Sequence, residues 1–156
     1  MQPFDSDFSP YQPISQPRIA KLPPLQAASI IFVDAGVSEL PWSVFGAGPV
    51  ELIFLSGKDG IGEIACRLGR WPQVSSVHIL ARLCRGRLVL GSKALGLREL
   101  RGRARDLARI GLGVRSGGEL LIGAGDPGDG ESDHLIHCLA DLACIPVRLW
   151  RPQTSP

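Results

Sequence analysis

The chain has 156 residues, a formal net charge of +2 and four cysteines. A single domain of this size buries about two thirds of its unfolded surface, so it needs no disulfide or metal to fold. There is no apolar run of about 18 residues and no charged amino-terminal segment followed by an apolar core, so we expect neither membrane insertion nor an ordinary secretion signal. The cysteines lack CxxC spacing and are predicted to be reduced structural thiols.

Residues 1–27 contain six of the 13 prolines, together with Gln and Ser, and show no periodicity. This composition predicts a flexible or polyproline-like arm. Within it, "PRIAKLPPL" has enough apolar residues to dock on a partner as a short extended motif, although a disordered leader is the commoner meaning. Residues 151–156 are predicted to be a carboxyl-terminal tail.

Residues 28–150 alternate strand and helix patterns and predict one α/β domain. The predicted strands are "SIIFVD", "VELIFL", "SVHILA", "GELLIG" and "PVRLW". The first two are apolar runs of the kind that is buried on both faces. This order predicts a mostly parallel sheet covered by helices on both faces, and "RGRLVLGSKAL" predicts a small β-hairpin insertion with Gly-Ser at its turn.

Four segments between these strands are predicted to be helical. "SELPWSVFG" allows only a short helix, whereas "GIGEIACRLG", "LRELRGRARDLARI" and the segment from Ser132 have an apolar face at helical spacing. The residues predicted to face inward are Ile61, Ile64, Ala65 and Leu68; Leu97, Leu100, Ala104 and Leu107; and Leu135, Cys138, Leu139 and Leu142.

Charge is distributed unevenly along the chain. Eight arginines and one lysine lie between Arg82 and Arg109 against two acids, whereas the segment from Glu119 to Asp141 has six acids and no lysine or arginine. Such asymmetry suits an acidic protein partner, a nucleic acid or head-to-tail self-association of opposite patches, and it is also typical of a solvated helix face. No aromatic residues interleave with the arginines, as binding of single strands would favour.

The acidic loop before the last helix contains two motif candidates. "GAGDPG" matches G-x-G-x-x-G after a strand, but Asp126, Asp129 and Pro127 stand where a pyrophosphate would approach, so nucleotide binding is disfavoured. The acids of "DPGDGESD" are candidate oxygen ligands for Ca²⁺, although their spacing is not that of an EF-hand. An acidic turn capped by Ser132 also suits the positive end of a helix dipole.

Histidine and cysteine recur close together at two places. His78 and Cys84 lie in one predicted extended run, and six residues of strand place them on the order of 20 Å apart, too far for proton transfer. His134 and Cys138 have metal-competent i, i+4 spacing beside His137, but no distant ligand pair is evident and Cys138 belongs to the buried stripe. We therefore expect no metal and no cofactor.

Four segments carry a resemblance to a known family: "SIIFVDAGV", "LSGKDGIGEIACRL", "VHILARLCRGRLVLGS" and "GGELLIGAG". Over residues 29–150 the chain resembles the bacterial caspase-like (CHAT/caspase-clan) domain of unknown function found at the amino end of large exported, repeat-rich adhesin-like proteins. The resemblance implies a caspase-like, flavodoxin-like three-layer α/β sandwich.

In that family the third strand characteristically ends in Ser-His-Gly and the fourth in Tyr-Gly-Cys. The corresponding triplets here are Ala81-Arg82-Leu83 and Ile122-Gly123-Ala124, and a shift of one residue places Gly125 at the cysteine position. Arginine cannot act as a general base near neutral pH, and alanine has no nucleophile. Arg82 and Ala124 are thus expected to mark a degenerate catalytic site, and Cys84 cannot readily substitute.

These observations predict a catalytically inactive caspase-like module that binds a protein partner. The candidate contact residues are Arg85, Arg87, Arg98, Arg101, Arg105, Asp126 and Asp129. Nucleic-acid or polyanion binding through the arginine-rich helix is an alternative, as is a residual hydrolase using Cys84 or a loop serine such as Ser92 or Ser116. A complete chain would be cytoplasmic, whereas a fragment of an exported adhesin-like protein would be at the cell surface.

Overall fold

A computed structural model describes residues 29–38, 49–123 and 131–150. In chain order its elements are β1 (Ser29–Val33), β2 (Val50–Phe54), α1 (Gly60–Leu68), β3 (Val74–Leu80), β4 (Arg82–Cys84), β5 (Arg87–Leu90), β6 (Lys93–Leu95), α2 (Leu97–Gly102), α3 (Ala104–Leu112), β7 (Val114–Gly123), α4 (Glu131–Ala143) and β8 (Val147–Trp150). The predicted arm (1–27), the tail (151–156) and most of "SELPWSVFG" lie outside the described residues.

Five strands form the parallel sheet that the sequence predicts, in the order β2-β1-β3-β7-β8. The three central strands are rich in apolar residues, and Ile30, Phe32 and Val77 are completely buried. The mixed α/β architecture confirms the predicted fold class, whereas helices on both faces stay a prediction, because the described helices lie on one face and residues 39–48 are outside the described residues. A flavodoxin-like sandwich agrees with this strand order.

The helices α1, α3 and α4 pack on one face of the sheet. Their inward stripes join Phe32, Ile79 and Ile122 in a single core, as the 3.6-residue spacing predicts. The inward positions that are buried as predicted are Ile61, Ile64, Ala65, Leu68, Leu100, Leu107, Leu135 and Leu139. None of the helices in the described ranges has the length and apolar content needed to cross a membrane.

The segment "LRELRGRARDLARI" forms two helices, so the prediction of one helix was wrong. Arg103 separates α2 from α3 with φ −108° and ψ 21°, outside the helical range. Gly102 has low helix propensity, and the Arg103 guanidinium is held by Asp59, 2.6 Å away, and by Asp106, 2.8 Å away. Leu97, in the first turn of α2, is 37% exposed instead of facing inward.

The hairpin prediction is confirmed and extended. Strands β4, β5 and β6 form a separate antiparallel sheet, with turns at Arg85-Gly86 and Gly91-Ser92. Leu83, Leu88 and Leu90 are buried in the main core. The run "SVHILARLCRG" is therefore two strands in two sheets, since β3 ends at Leu80 and β4 begins at Arg82.

Strand β2 departs from the prediction of a strand buried on both faces. Glu51 is exposed, and the Phe54 side chain is 63% exposed. The strand order explains this difference, because β2 lies at the edge of the sheet and pairs only with β1 among the described strands.

The contact between α3 and α4 depends on the missing side chain of Gly111. A Cβ at Gly111 would overlap the carbonyl oxygen of Ala143, whereas nothing lies within 4 Å of a Cβ at Gly102. We expect Gly111→Ala to lower the free energy of unfolding by about 2 kcal/mol through overpacking. The matched control Gly102→Ala should leave it unchanged or raise it by up to about 1 kcal/mol. Urea unfolding of both variants checks this, and a loss of the same size in both would contradict it.

Candidate functional site

Asp34 follows β1 at the carboxyl edge of the sheet and is only 1% exposed. Its Oδ1 accepts a hydrogen bond of 2.6 Å from the Gly91 N–H, and its Oδ2 accepts one of 3.0 Å from the Gly36 N–H. A Cβ at Gly91 would overlap the backbone of Gly57, so glycine permits the close approach. The carboxylate thus fastens the β5–β6 turn to the sheet. Sequence analysis missed this role, although an aspartate that ends an apolar strand before a glycine turn was a usable signal.

Arg82 lies beside this carboxylate. Its Nε and Nη2 atoms are each 3.1 Å from the point that a Cβ at Gly36 would occupy, and Asp34 Oδ2 is 3.0 Å from the same point. The structure therefore places a cation at the position where the resemblance expects histidine. The second expected position, Ala124, lies outside the described residues, as do Gly125, Asp126 and Asp129.

The four cysteines are free and lie in different places. Cys66 is in α1, Cys84 in β4, Cys138 in α4 and Cys144 directly after α4. The described ranges contain no group of three His, Cys, Asp or Glu side chains able to hold a metal ion. His134 and His137 are exposed, and Cys138 is half-buried on the same helix.

A polar row crosses the sheet on the face opposite the helices. Ser29 Oγ is 2.7 Å from Ser76 Oγ, which is 3.4 Å from His78 Nε2, and Arg148 binds Glu119 through two contacts of 2.7 Å. Ser76 and His78 share this face because they are two residues apart on β3, a signal that sequence analysis overlooked.

This serine–histidine contact lacks the surroundings of a catalytic pair. Ser76 pairs with Ser29 on one side and with Glu119 on the other, so its backbone lies inside the ladder between two strands. Backbone N–H groups occupied in this way are not available to stabilise an oxyanion. His78 Nδ1 is buried without a hydrogen-bond partner in the part of the chain that the structure describes.

Three of the predicted contact arginines meet in one open groove of about 500 Å³, which we call the arginine groove. It lies between the β4–β5 turn, the start of α2 and α4, and its lining residues are Arg85, Gly86, Arg87, Gly96, Leu97, Arg98, Glu99 and His134. Arg101 and Arg105 are exposed elsewhere on α2 and α3. The structure thus brings Arg85, Arg87 and Arg98 together in this groove, whereas Arg101 and Arg105 do not line it.

The arginine groove has an excess of positive charge. Glu99 supplies the carboxylate found there among the described residues, and its Oε2 accepts a hydrogen bond of 3.1 Å from the Gly96 N–H. Backbone hydrogen bonds from Glu99 and Gly96 and the charges of Arg87 and Arg98 hold the pKa of Glu99 below its usual value. None of the three groove arginines forms an ion pair within the described ranges.

Arg103 is the contrasting case, because local acids neutralise it. Partial burial raises the pKa of Asp59, but hydrogen bonds from the Gly62 N–H and from Arg103 outweigh that effect and lower it. Asp59 also caps α1 by accepting from Gly62, so Arg103 links this cap to the α2–α3 junction. The arginine-rich segment therefore contains both Arg103, which is held in ion pairs, and the groove arginines, which have no ion pair in the described ranges.

We expect Asp34→Ala to lower the free energy of unfolding by about 3 kcal/mol, because the Gly91 and Gly36 N–H groups lose a charged acceptor. Asp34→Asn keeps one carbonyl acceptor and should cost less. Urea unfolding measures both changes, and amide exchange should show faster opening at Gly91. Equal stabilities of the wild type and Asp34→Ala would refute the role of this carboxylate.

Folding should also depend on the protonation of His78. Burial lowers the pKa of this ring, against a smaller opposing effect of Glu119. As the pH falls below about 6.5, the unfolded chain gains a proton that the folded ring resists, so the free energy of unfolding decreases. We expect His78→Gln to flatten this decrease between about pH 7 and pH 5. Chemical unfolding across this range tests it, and parallel pH profiles of the two proteins would contradict it.

Comparison with protein families matches residues 30–148 to the domain of unknown function DUF4347. Comparisons with curated proteins and with solved structures found no match. The matched range runs from β1 to β8 and includes Asp34, Arg82 and the arginine groove. By this match over most of its length, the chain belongs to the DUF4347 family.

Proposed function

We propose that this domain is a catalytically inactive, caspase-like binding module that takes an acidic segment of a partner protein in the arginine groove. The observation that carries this proposal is the meeting of Arg85, Arg87 and Arg98 in one open groove beside the exposed Leu97. Their guanidinium groups have no ion-pair partner within the described ranges, so they are available to a ligand.

Two observations support the absence of catalysis. Arg82 has no basic nitrogen that can accept a proton near neutral pH, and Ala124 has no nucleophilic atom. None of the hydrogen bonds in the described ranges joins a histidine ring to a cysteine, although all seven of these residues are described. A cysteine hydrolase needs that pair, because the imidazole activates the thiolate and protonates the leaving amine.

The chemistry of the arginine groove suits a peptide in which acidic residues are followed by an apolar side chain. Guanidinium groups bind carboxylates through paired hydrogen bonds, and the half-exposed Leu97 offers an apolar contact at the start of α2. Glu99 limits the groove's charge excess, since its carboxylate lines the groove and accepts from the Gly96 N–H. A short acidic peptide that avoids this carboxylate matches the groove better than a uniformly charged polymer.

Nucleic acid remains the second candidate because Arg101 and Arg105 add exposed charge outside the arginine groove. The break at Arg103 interrupts the stripe that a continuous helix would have presented to phosphates. Among the described residues no Phe, Tyr or Trp side chain lines the groove to stack a base. Contacts through Asp126 and Asp129, and self-association of opposite patches, stay predictions because that loop is outside the described residues.

Fluorescence anisotropy can test the proposal by measuring the affinity of the domain for a short fluorescein-labelled peptide rich in Asp, Glu and Leu. We expect Arg98→Gln to weaken peptide binding about tenfold, equivalent to about 1.4 kcal/mol, through loss of a charged hydrogen-bond donor. Arg101→Gln is the matched control on the same helix, and it should bind as the wild type does.

Single-stranded DNA of equal charge serves as the competing probe. Tighter binding of the DNA, with a steep salt dependence and equal losses in Arg98→Gln and Arg101→Gln, would refute the peptide-binding proposal and favour polyanion binding. Labelling of one cysteine by an electrophilic peptide, with peptide cleavage lost on its mutation, would refute the absence of catalysis.

Arg85 links binding to backbone strain. It has φ 49° at the first position of a two-residue turn, followed by Gly86 at φ 69°, a conformation that favours Asn or Gly over Arg. We expect Arg85→Asn to raise the free energy of unfolding by about 1 kcal/mol while weakening peptide binding several-fold. Urea unfolding and anisotropy on the same preparation check both. A variant that is less stable, or one that binds unchanged, would contradict the trade-off.

A further inference from the structure

The side of β2 opposite β1 presents a regular row of backbone groups that have no backbone partner among the described residues. Leu55 N donates to Val33 O at 2.9 Å, and Ser29 N donates to Pro49 O at 3.3 Å, so alternate residues from Pro49 to Leu55 face β1. The N–H and C=O groups of Val50, Leu52 and Phe54 consequently point away from the sheet. Among the described strands none lies on that side.

Within the described residues, Glu51 is the only one of the usual protections against pairing with another strand that this edge has. β2 contains no proline, no lysine and no bulge in its register with β1. Phe54 is 63% exposed on the face away from the helices. On the helix side, Glu51 and Ile53 border an open groove of about 310 Å³, which we call the Trp71 groove; its other lining residues are Leu52, Phe54, Arg67, Arg70 and Trp71.

We infer that β2 is a self-association surface, on which the β2 strands of two copies of this chain pair antiparallel around a twofold axis at Leu52. Leu52 then exchanges both backbone hydrogen bonds with its counterpart, since its N–H and C=O point outward. On the face away from the helices, Phe54 meets Val50 of the second copy. The two parallel sheets join edge to edge.

Charge makes this arrangement self-complementary. In the proposed register Glu51 stands opposite Ile53 of the second copy, where cross-strand Cβ atoms are about 5 Å apart. Ile53 borders the Trp71 groove, so Glu51 enters the part of the second copy that contains Arg67 and Arg70. Arg67 is 3.5 Å from Glu63, whereas Arg70 has no ion pair in the described ranges. The twofold axis repeats the contact, as a closed dimer requires.

The proline-rich arm of this chain fits the edge less well. Its apolar motif "PRIAKLPPL" contains Arg18 and Lys21 and no acid, so it would bring cations to Arg67 and Arg70. Its three prolines also lack the N–H groups that a paired strand donates. A second copy supplies both the acid and the donors.

The test is sedimentation equilibrium of the full chain from about 1 to 200 µM, a range that covers a weak dimer. We expect a concentration-dependent dimer, weakened at least tenfold by Glu51→Arg and restored in the double variant Glu51→Arg, Arg70→Glu. Asp141→Arg makes the same charge change on the exposed side of α4, which packs on β8 at the opposite edge of the sheet, and should dimerise as the wild type does.

Leu52→Pro tests the backbone contribution, because it deletes an N–H that does not face β1 and edge strands tolerate proline. It should remain monomeric with unchanged circular dichroism. A wild type that stays monomeric throughout the range would overturn the inference, as would a dimer insensitive to Glu51→Arg. If Leu52→Pro fails to fold, the dimerisation of Glu51→Arg compared with that of the double variant Glu51→Arg, Arg70→Glu still tests the inference. Peptide binding in the arginine groove is measured separately, so the two proposals fail independently.

Discussion

The buried carboxylate of Asp34 is the constraint on which the antiparallel sheet and the carboxyl edge of β1 depend. A charged group that is 1% exposed needs hydrogen-bond donors, and it finds them in the turn at Gly36 and in the β5–β6 turn at Gly91. The second bond fixes the small antiparallel sheet over the carboxyl edge of β1. Because the other turn of that sheet holds Arg85, the same anchor sets the position of one wall of the arginine groove.

This arrangement changes what the carboxyl edge of the sheet offers to chemistry. In α/β folds that edge is the usual place for a site, since the strands end there and the following loops project from it. Here Arg82, the first residue of the antiparallel sheet, lies beside Asp34, and the β5–β6 turn of the same sheet donates a hydrogen bond to this carboxylate. The guanidinium groups of Arg85 and Arg87, in the turn and the second strand of that sheet, are exposed and have no ion pair in the described ranges, which supports the proposal of anion binding.

The local spacing of apolar residues was sufficient to predict the central strands, α1 and the hairpin, because this spacing reports directly which side of an element is buried. Strand order is not encoded in any one segment, so the edge position of β2 and the exposure of Phe54 were not predicted. The division of the arginine segment at Arg103 also depends on a distant partner, Asp59. Only three of the five candidate arginines line one groove, because lining it depends on the fold of the β4–β5 turn against the start of α2, which composition and charge cannot report.

The strand order also decides whether the two proposed surfaces can operate together. β2 is one edge of the sheet, whereas α4, which supplies His134 to the arginine groove, packs on β8 at the opposite edge. Joining two copies through β2 therefore leaves both arginine grooves at the outer ends of the shared sheet. A partner with two acidic segments would bind such a dimer more tightly than a single segment binds one copy, because the second contact is intramolecular. Affinity for a doubled acidic ligand would then depend on Glu51 and Arg70, residues that do not line the groove that the ligand occupies.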